Sequence, residues 1–364
     1  MQILKINQDN LAEAVEKAVS VLQAGGLVVF PTETVYGAGV DATSPKAVAK
    51  LLEYKTRREG KPLSIAVTDL AMAEEYVELS ESAKQLYQRF LPGPMTVVSK
   101  GLGKVAPGVE SEYGTLGVRI SSYPLVEMIV QKLGRPITAT SANGSGGRRP
   151  YSIPDLVETL SKKQQELIGL MLDAGVLPPN PPSTVIDTTL SAPVIFRQGE
   201  IEVANSKQTT FISHSVDDTH TFAQRVLLKY WNDLKERGLV IALDGSLGVG
   251  KTEFVKGAAT FLNIKETVKS PTYSYVEEYP FERHGVTGKL THADVWKVSS
   301  IEEFERLRIE ENLGPNQVVF IEWADLIQAK LQSWHQEKRV PIVSLTLTQN
   351  GEKRSITFDE TLGA

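Results

Sequence analysis

The feature that most constrains this chain is a phosphate-binding loop at residues 245–252, which read Gly-Ser-Leu-Gly-Val-Gly-Lys-Thr and match the pattern G-x-x-x-x-G-K-T. An apolar run at residues 239–243 precedes this P-loop, and the helix-compatible residues 253–259 follow it. The pattern predicts a strand, a loop and a helix whose backbone N–H groups bind phosphates. We expect Lys251 to reach the β- and γ-phosphates and the Thr252 hydroxyl to ligate Mg²⁺. The simpler interpretation is a glycine turn between a strand and a helix.

The position of the P-loop implies a second domain, because a P-loop normally follows the first strand of its own domain. At 364 residues the chain is long enough for two domains, each with its own core. The sequence becomes polar over residues 205–210, where patterned structure pauses before a helix predicted from 218 to about 237. We therefore place the boundary near residue 205, with domains at 1–205 and 206–364.

Composition indicates the cellular compartment of the protein and argues against polybasic, disulfide-linked and membrane-spanning classes. The net charge is −5 and there is no polybasic arm, so any contact with RNA must be a local patch. The sequence contains no cysteine, which excludes disulfides and cysteine-based metal sites and suits a reducing compartment. No apolar run is long enough to cross a membrane, and the N-terminus lacks the pattern of a secretion signal. We expect a cytoplasmic protein without a membrane segment.

The first half alternates short β-rich runs with helical patterns, which is typical of an α/β fold. The predicted strands are residues 26–30, 63–67, 95–99, 116–120, 137–139, 169–172, 184–187 and 194–196. The predicted helices are residues 10–24, 45–55, 70–77, 82–90, 123–133 and 153–160. The proline-rich residues 178–182 lie between two predicted strands, so we interpret them as an internal loop.

Three segments behind the P-loop narrow the chemistry of the second half. Residues 270–273 read Ser-Pro-Thr-Tyr and suit a switch-type loop near a γ-phosphate. Residues 292–294 read His-Ala-Asp, and residues 318–323 form an apolar run that ends in Glu322 and Trp323. Taken singly, the three segments also suit a turn, a surface His/Asp pair and a strand-end acid. Their order behind a P-loop favours a nucleotide site.

These segments resemble the TsaE family, the small ATPases of tRNA threonylcarbamoyladenosine synthesis, and the resemblance covers residues 206–364. It implies a P-loop ATPase of three α/β layers, with roles for specific residues. Nucleotide binding is assigned to Gly245, Gly248, Gly250, Lys251, Thr252 and Trp323. Thr252 and Glu322 would hold Mg²⁺, and Asp294 would orient the metal or the attacking water. A core role for Trp323 is the alternative. The chain departs from the family at Ser246, Glu253 and the pair Trp296-Lys297, and the first two of these changes lie at the loop.

Three segments of the first half carry groups suited to binding anions. Residues 31–37 read Pro-Thr-Glu-Thr-Val-Tyr-Gly and follow a predicted strand, at the end of the sheet where open α/β folds bind ligands. Residues 55–58 read Lys-Thr-Arg-Arg at a helix end, where cations also complement the helix dipole. Residues 140–147 form a small, glycine-rich loop that lets a backbone approach phosphate closely. An ordinary turn, a solvated helix end and a plain glycine loop are the alternatives.

In this order the segments resemble the YrdC/TsaC family of L-threonylcarbamoyladenylate synthases, over about residues 5–203. The matching pieces are P-T-E-T-V-Y-G, K-x-R-x-x-x-K-P-L, L-P-G-P-M-T, G-V-R-I, T-S-A-N-x-S-G, S-T-V-I-D and R-x-G. The resemblance implies a twisted, mixed α/β sheet domain and a catalytic, nucleotide-binding set of Lys55, Arg57, Ser141 and Asn143. Substrate binding is assigned to Thr32, Thr34, Tyr36, Arg119, Ser183 and Arg197. The family pattern has proline where this chain has Arg58, and its long forms often have histidine at Ala66.

Together the two resemblances imply a fusion enzyme for modification of adenosine 37 in ANN-decoding tRNAs. The first domain would make threonylcarbamoyl-AMP and pyrophosphate from L-threonine, bicarbonate and ATP. The second would hydrolyse ATP in support of a TsaD/TsaB-type transferase complex. ATP at two sites and Mg²⁺ are the implied ligands, and tRNA is a further candidate. Two other functions stay open at this point. One is a P-loop kinase with a substrate-binding first half, and the other is an RNA-binding module.

Overall fold

The computed structural model describes residues 1–55, 63–144, 147–190, 193–202 and 208–359. The chain divides into two compact units, with residues 1–189 and 193–202 in the first and 208–359 in the second. The predicted boundary near residue 205 lies outside the described residues and stays a prediction. Within the described ranges, no helix combines the length and the apolar character needed to cross a membrane.

The first unit alternates strands and helices, which confirms the α/β class predicted from its sequence. Its strands are β1 (Gln2–Lys5), β2 (Leu27–Phe30), β3 (Gly37–Gly39), β4 (Ser64–Ala66), β5 (Val77–Glu78), β6 (Met95–Gly101), β7 (Thr115–Arg119), β8 (Ile137–Thr138), β9 (Thr140–Ser141), β10 (Ile168–Asp173), β11 (Thr184–Asp187) and β12 (Val194–Arg197). Its helices are α1 (Leu11–Gln23), α2 (Pro45–Lys55), α3 (Leu70–Glu74), α4 (Glu81–Phe90), α5 (Pro124–Leu133), α6 (Ile153–Thr159) and α7 (Lys162–Leu167). The proline-rich residues 178–182 lie in a loop between β10 and β11, as predicted.

Two mixed sheets organise the first unit, in the strand orders β1-β10-β2-β3-β9 and β12-β11-β6-β7-β4-β8. The strand β2 is fully buried and runs parallel to β10 but antiparallel to β3. Residues 31–36 are therefore the turn that joins β2 to β3. Since β3 also pairs with β9, with Gly37 opposite Ser141, the end of this turn lies beside Ser141, near the start of the glycine-rich segment.

The sequence does not predict β3, because Gly37, Ala38 and Gly39 show no hydrophobic alternation. Their small size is nevertheless required by the packing. A Cβ atom on Gly39 would lie 2.5 Å from the carbonyl oxygen of Thr138. The helix predicted over residues 70–77 was too long, since α3 ends at Glu74. Val77 instead begins the short strand β5, which pairs with β6.

The second unit is built on one sheet with the order β13-β19-β18-β14-β17-β16-β15. Its strands are β13 (Gln208–Ser213), β14 (Leu239–Asp244), β15 (Val276–Arg283), β16 (Val286–Asp294), β17 (Gln317–Glu322), β18 (Ile342–Asn350) and β19 (Lys353–Asp359). Its helices are α8 (Val216–Lys229), α9 (Trp231–Arg237), α10 (Lys251–Phe261), α11 (Ile301–Arg306) and α12 (Gln328–Lys338). Short 3₁₀ turns occur at Ile309–Asn312 and Ala324–Ile327.

The fully buried strand β14 leads directly into the P-loop. It runs parallel to β17 on one side and to β18 on the other. Val240 and Ala242 pack in one cluster with Trp334 of α12. On the opposite face Phe254 of α10 contacts both Phe222 of α8 and Phe320 of β17. The sheet is thus covered on both faces, which gives the predicted three-layer arrangement.

Two predictions for the second unit differ from the structure. The single helix expected from residue 218 to about 237 is two helices, α8 and α9, that meet at Tyr230. The break turns Trp231 into the core, where it is fully buried. The polar residues 208–210 also belong to a strand, β13, which pairs with β19 at the sheet edge. Its polar sequence hides it, although Phe211 is buried and stacks on Phe222 with ring centroids 4.6 Å apart.

Candidate functional site

Lys55 lies at the centre of the candidate site of the first unit. It is the last residue of α2, whose buried residues Ala47, Val48, Leu51 and Tyr54 fix the helix against the sheet. Its Nζ donates hydrogen bonds to the carbonyl oxygens of Ser141 (2.9 Å) and Asn143 (2.7 Å). Burial lowers the pKa of Lys55 to about 8. The structure thus brings Lys55 against the backbone of Ser141 and Asn143, whereas Arg57 lies outside the described residues. The nucleotide-binding role of this set stays a prediction.

The side chain of Asn143 has one amide end bound and the other end open. Its Nδ2 donates to the carbonyl oxygen of Gly147 at 2.6 Å. Its Oδ1 is buried and has no hydrogen-bond partner within the described residues. Buried amide oxygens normally accept a hydrogen bond, so this atom is suited to accept one from a bound ligand.

The turn between β2 and β3 is shaped by its own hydroxyl groups. Thr32 Oγ1 donates to the carbonyl oxygen of Val35 at 2.6 Å and accepts from the backbone N–H groups of Thr34 and Val35. Thr32 and Thr34 are both buried, and their hydroxyl oxygens are 3.1 Å apart. The two threonines therefore hold the turn closed, and their contact with a substrate stays a prediction.

Tyr36 ends the turn between β2 and β3, and its side chain is held by the segment after β10. It is fully buried, which raises the pKa of its hydroxyl. That hydroxyl donates to the carbonyl oxygen of Gly175 at 2.8 Å and accepts from the N–H of Ala174 at 2.9 Å. The structure therefore shows Tyr36 fastening the segment after β10 to this turn, and its predicted place in a threonine pocket is untested.

Glu33 is a site residue that sequence reasoning did not select. Its carboxylate forms an ion pair with Arg119 Nη2 and accepts a hydrogen bond from Ser121 Oγ. The ion-paired side chains are only 12% and 11% exposed. Asn180 of the proline-rich loop donates to the carbonyl oxygen of Glu33 at 2.9 Å. The available signal was a carboxylate in the middle of Pro-Thr-Glu-Thr, whose partners lie far away in sequence.

Arg197 completes a group of cations in this unit. Its Nε donates to the carbonyl oxygen of the buried Ser183 at 3.0 Å. Burial, with added repulsion from Arg119 and Arg149, lowers the pKa of Arg197 to about 10. This repulsion means that the three guanidinium groups share one neighbourhood, which favours binding of an anion. Arg149 was not predicted, and its signal was the Arg-Arg pair that follows the glycine-rich loop.

The P-loop of the second unit has the conformation that its glycines permit. Gly245, Gly248 and Gly250 have φ values of 137°, 77° and 110°, a region that other residues rarely adopt. Lys251 begins α10 and donates to the carbonyl oxygens of Gly245 (2.8 Å) and Ser246 (3.1 Å). Burial lowers the pKa of Lys251. Its ammonium group therefore lies within the loop, where a phosphate would bind.

Trp323 covers this ammonium group. Lys251 Nζ lies 4.1 Å from the centroid of the Trp323 ring. Trp323 has a left-handed backbone, with φ of 64°, and it packs against Trp296 with ring centroids 4.9 Å apart. Trp323 lies beside the lysine of the P-loop, and its predicted contact with a nucleotide stays a prediction.

The acidic groups of this site gather because their strands are parallel. Register pairs Glu322 with Leu243 of β14 and with Asp294 of β16, so the strand ends coincide. Glu322 Oε1 accepts from Thr252 Oγ1 at 2.8 Å and lies 2.9 Å from His292 Nε2. Asp294 Oδ2 accepts from Thr272 Oγ1 at 2.9 Å. His292 and Thr272 were missed as site residues, although both belong to motifs that the sequence singled out.

The donor set fits a magnesium ion that is shared with a nucleotide. Among the described residues there is no group of three or more His, Cys, Asp or Glu side chains that could hold a metal ion. Mg²⁺ usually takes only one or two protein oxygens and completes its shell with phosphates and water. The Thr252 hydroxyl and the Glu322 carboxylate are such oxygens, and they are already in contact.

Comparisons with known proteins agree with this division of the chain. Residues 20–199 match the family model of Sua5, YciO and YrdC proteins, which is described as telomere recombination. Residues 213–356 match the model of TsaE, described as a threonylcarbamoyl adenosine biosynthesis protein. Among the described residues, the first matched range lies in the first compact unit apart from Leu190, and the second matched range lies in the second unit.

Curated relatives match the first of these ranges. A threonylcarbamoyl-AMP synthase of Vibrio campbellii is 31% identical over 187 residues, which are 50% of this chain and 98% of that protein. A threonylcarbamoyl-AMP synthase of Pyrococcus abyssi is 34% identical over 196 residues, which are 52% of this chain and 56% of that protein.

A solved structure supports the fold. The crystal structure of Pyrococcus abyssi Sua5 complexed with L-threonine aligns with a TM-score of 0.50 and 21% identity, covering 88% of this chain and 91% of that one. The chain therefore belongs to the Sua5/YciO/YrdC family and carries in addition a segment that matches the TsaE model.

Proposed function

We propose that the first unit synthesises L-threonylcarbamoyl-AMP and releases pyrophosphate, using L-threonine, bicarbonate and ATP. The observation that carries this proposal is the convergence of Lys55 with the loop of Ser141 and Asn143. The guanidinium groups of Arg119 and Arg197 add positive charge in the same unit. The relatives named threonylcarbamoyl-AMP synthases support the same reaction.

The proposed chemistry needs positioning and charge neutralisation more than a covalent nucleophile. The amine of threonine combines with bicarbonate to give a carbamate and water. A carbamate oxygen then attacks the α-phosphorus of ATP, and the bond to the β-phosphate breaks to release pyrophosphate. The Lys55 ammonium would stabilise negative charge on the phosphates, and the Asn143 amide oxygen would accept a hydrogen bond from the substrate. Arg119 would orient a carboxylate of the substrate, and the ion pair with Glu33 would hold the Arg119 side chain in position.

For the second unit we propose ATP hydrolysis that supports a TsaD/TsaB-type transferase complex acting on tRNA. The contact between Thr252 and Glu322 supports Mg²⁺ binding there, and the metal would neutralise the charge of the β- and γ-phosphates. Lys251 would exchange its bonds to the loop carbonyl oxygens for phosphate oxygens. Asp294, fixed by Thr272, would orient the attacking water.

A cytoplasmic location is proposed on the lack of cysteine in the sequence.

The proposed synthesis is tested by incubating the full chain with ATP, radiolabelled threonine and bicarbonate, followed by chromatography of the products. We expect threonylcarbamoyl-AMP and an equal amount of pyrophosphate. The Lys55→Ala variant should form neither. Absence of the adenylate with the unaltered chain, or equal product from the Lys55→Ala variant, would contradict the proposal.

A further inference from the structure

Arg354 lies against the P-loop from the strand β19. If Gly250 carried a Cβ atom, that atom would lie 3.3 Å from Arg354 Nε and 3.9 Å from its Cζ. Gly250 is the residue immediately before α10, at the helix end where N–H groups attract phosphates. The guanidinium group is therefore adjacent to the last glycine of the loop.

This guanidinium group has no counter-charge within the described residues. Its Nε is buried without a hydrogen-bond partner, and Arg354 forms no ion pair in the described ranges. The residues opposite it in the neighbouring strands are Ser213 of β13 and Gln349 of β18, neither of which is charged. A half-buried guanidinium that lacks a partner beside an anion-binding loop is suited to an anionic ligand.

The sheet order indicates which part of a ligand Arg354 would meet. The metal-binding candidates Thr252 and Glu322, together with Asp294, lie on the β17 and β16 side of β14. Arg354 lies on the other side, beyond β18. A metal ion held by these oxygens would neutralise the β- and γ-phosphates, so the end of the nucleotide that carries the α-phosphate would extend away from the carboxylates.

We infer that Arg354 is a nucleotide-binding residue of the P-loop site, whose guanidinium group binds the α-phosphate of an adenine nucleotide. The inference rests on the proposed ATPase function of the second unit. It assigns to Arg354 an attraction that acts equally on bound ATP and ADP, so the residue contributes to affinity rather than to the chemical step.

The test measures ADP binding to the full chain by calorimetry, with Lys251→Ala defining the part that belongs to the P-loop. We expect Arg354→Gln to weaken this binding about tenfold and Arg354→Lys to weaken it less, since a charge-assisted hydrogen bond is lost. The matched control is Lys353→Gln, which removes the same charge from the exposed neighbour and should change the affinity less than about twofold.

Three further readouts separate nucleotide binding from a structural role. The KM for ATP should rise about tenfold with kcat nearly unchanged. The salt dependence of ADP binding should become weaker in Arg354→Gln. The loss of affinity should persist in EDTA, whereas an effect of Glu322→Gln should require Mg²⁺.

Unchanged ADP affinity in Arg354→Gln would overturn the inference alone. So would a lower melting temperature without nucleotide, combined with no recovery of binding in Arg354→Lys, because that result assigns a structural role. If the Lys251→Ala variant binds ADP as tightly as the unaltered chain does, the proposed ATPase site and the inference fail together.

Discussion

The two candidate ATP sites differ in the charge of the side chains that line them. In the first unit Lys55, Arg119, Arg149 and Arg197 supply positive side chains, and Glu33 pairs with one of them. In the second unit Lys251 faces the carboxylates of Glu322, Asp294 and Asp244. A site rich in cations can neutralise a departing pyrophosphate with its own side chains. A site rich in carboxylates needs a metal ion to bring phosphate near them.

The largest expected effect comes from replacing the lysine of each site in turn and measuring both activities. Lys55→Ala should lower pyrophosphate release at least about 100-fold and leave phosphate release intact, whereas Lys251→Ala should do the reverse. Separate assays of pyrophosphate and phosphate on the same samples provide the measurement. If either variant abolished both activities, the two sites would not be independent.

The next effect concerns the buried ion pair between Glu33 and Arg119 at the first site. Glu33→Gln leaves Arg119 buried without its partner, which should lower the free energy of unfolding of the first unit by about 3 kcal/mol. Scanning calorimetry of the full chain measures this as a shift of one transition. The matched control is Glu13→Gln, which breaks an exposed pair with Lys17 and should change stability by less than about 1 kcal/mol. Equal shifts in both variants would contradict a special role for the buried pair.

A smaller effect should appear in the pH dependence of ATP binding at the first site. Burial lowers the pKa of Lys55 to about 8, so in the free protein its ammonium form is lost as pH rises through that value. ATP affinity of the Lys251→Ala chain, which retains only the first site, should therefore fall several-fold between pH 7 and about 9.5. Adding Lys55→Ala should remove this dependence. A profile that stays the same in the double variant would assign the titration to another group.

The smallest effect is expected from one hydrogen bond of the second site. Thr272→Val removes the donor to Asp294, which is worth about 1 kcal/mol, so kcat for ATP hydrolysis should fall about fivefold. Threonylcarbamoyl-AMP synthesis should not change. Thr260→Val, which alters an exposed hydroxyl of α10, is the control. A rise in KM with normal kcat would show that Asp294 binds nucleotide and does not orient water.

Local patterns in the sequence predict much of this molecule, because they depend on neighbouring residues. The P-loop with its flanking strand and helix, and the helix that ends at Lys55, follow from such patterns. The meeting of Glu33 with Arg119 does not, because it depends on pairing between distant strands. Arg354 is hidden for the same reason, since only the sheet order brings β19 to the P-loop. The strand β3 was missed because its three small residues are selected by close packing and carry no periodicity.

The Trp323 ring that lies over Lys251 also gives the molecule a spectroscopic handle. All four tryptophans of the sequence, at positions 231, 296, 323 and 334, belong to the second unit, and two of them form the pair beside the P-loop. Indole emission is sensitive to a nearby ammonium charge and to exposure to water. When a bound phosphate moves the Lys251 ammonium group away from the Trp323 ring, the wavelength of maximum emission and the emission intensity should change. Residues 1–205 contain no tryptophan. With excitation selective for tryptophan, nucleotide binding at the second site should therefore be measurable by fluorescence in the intact chain.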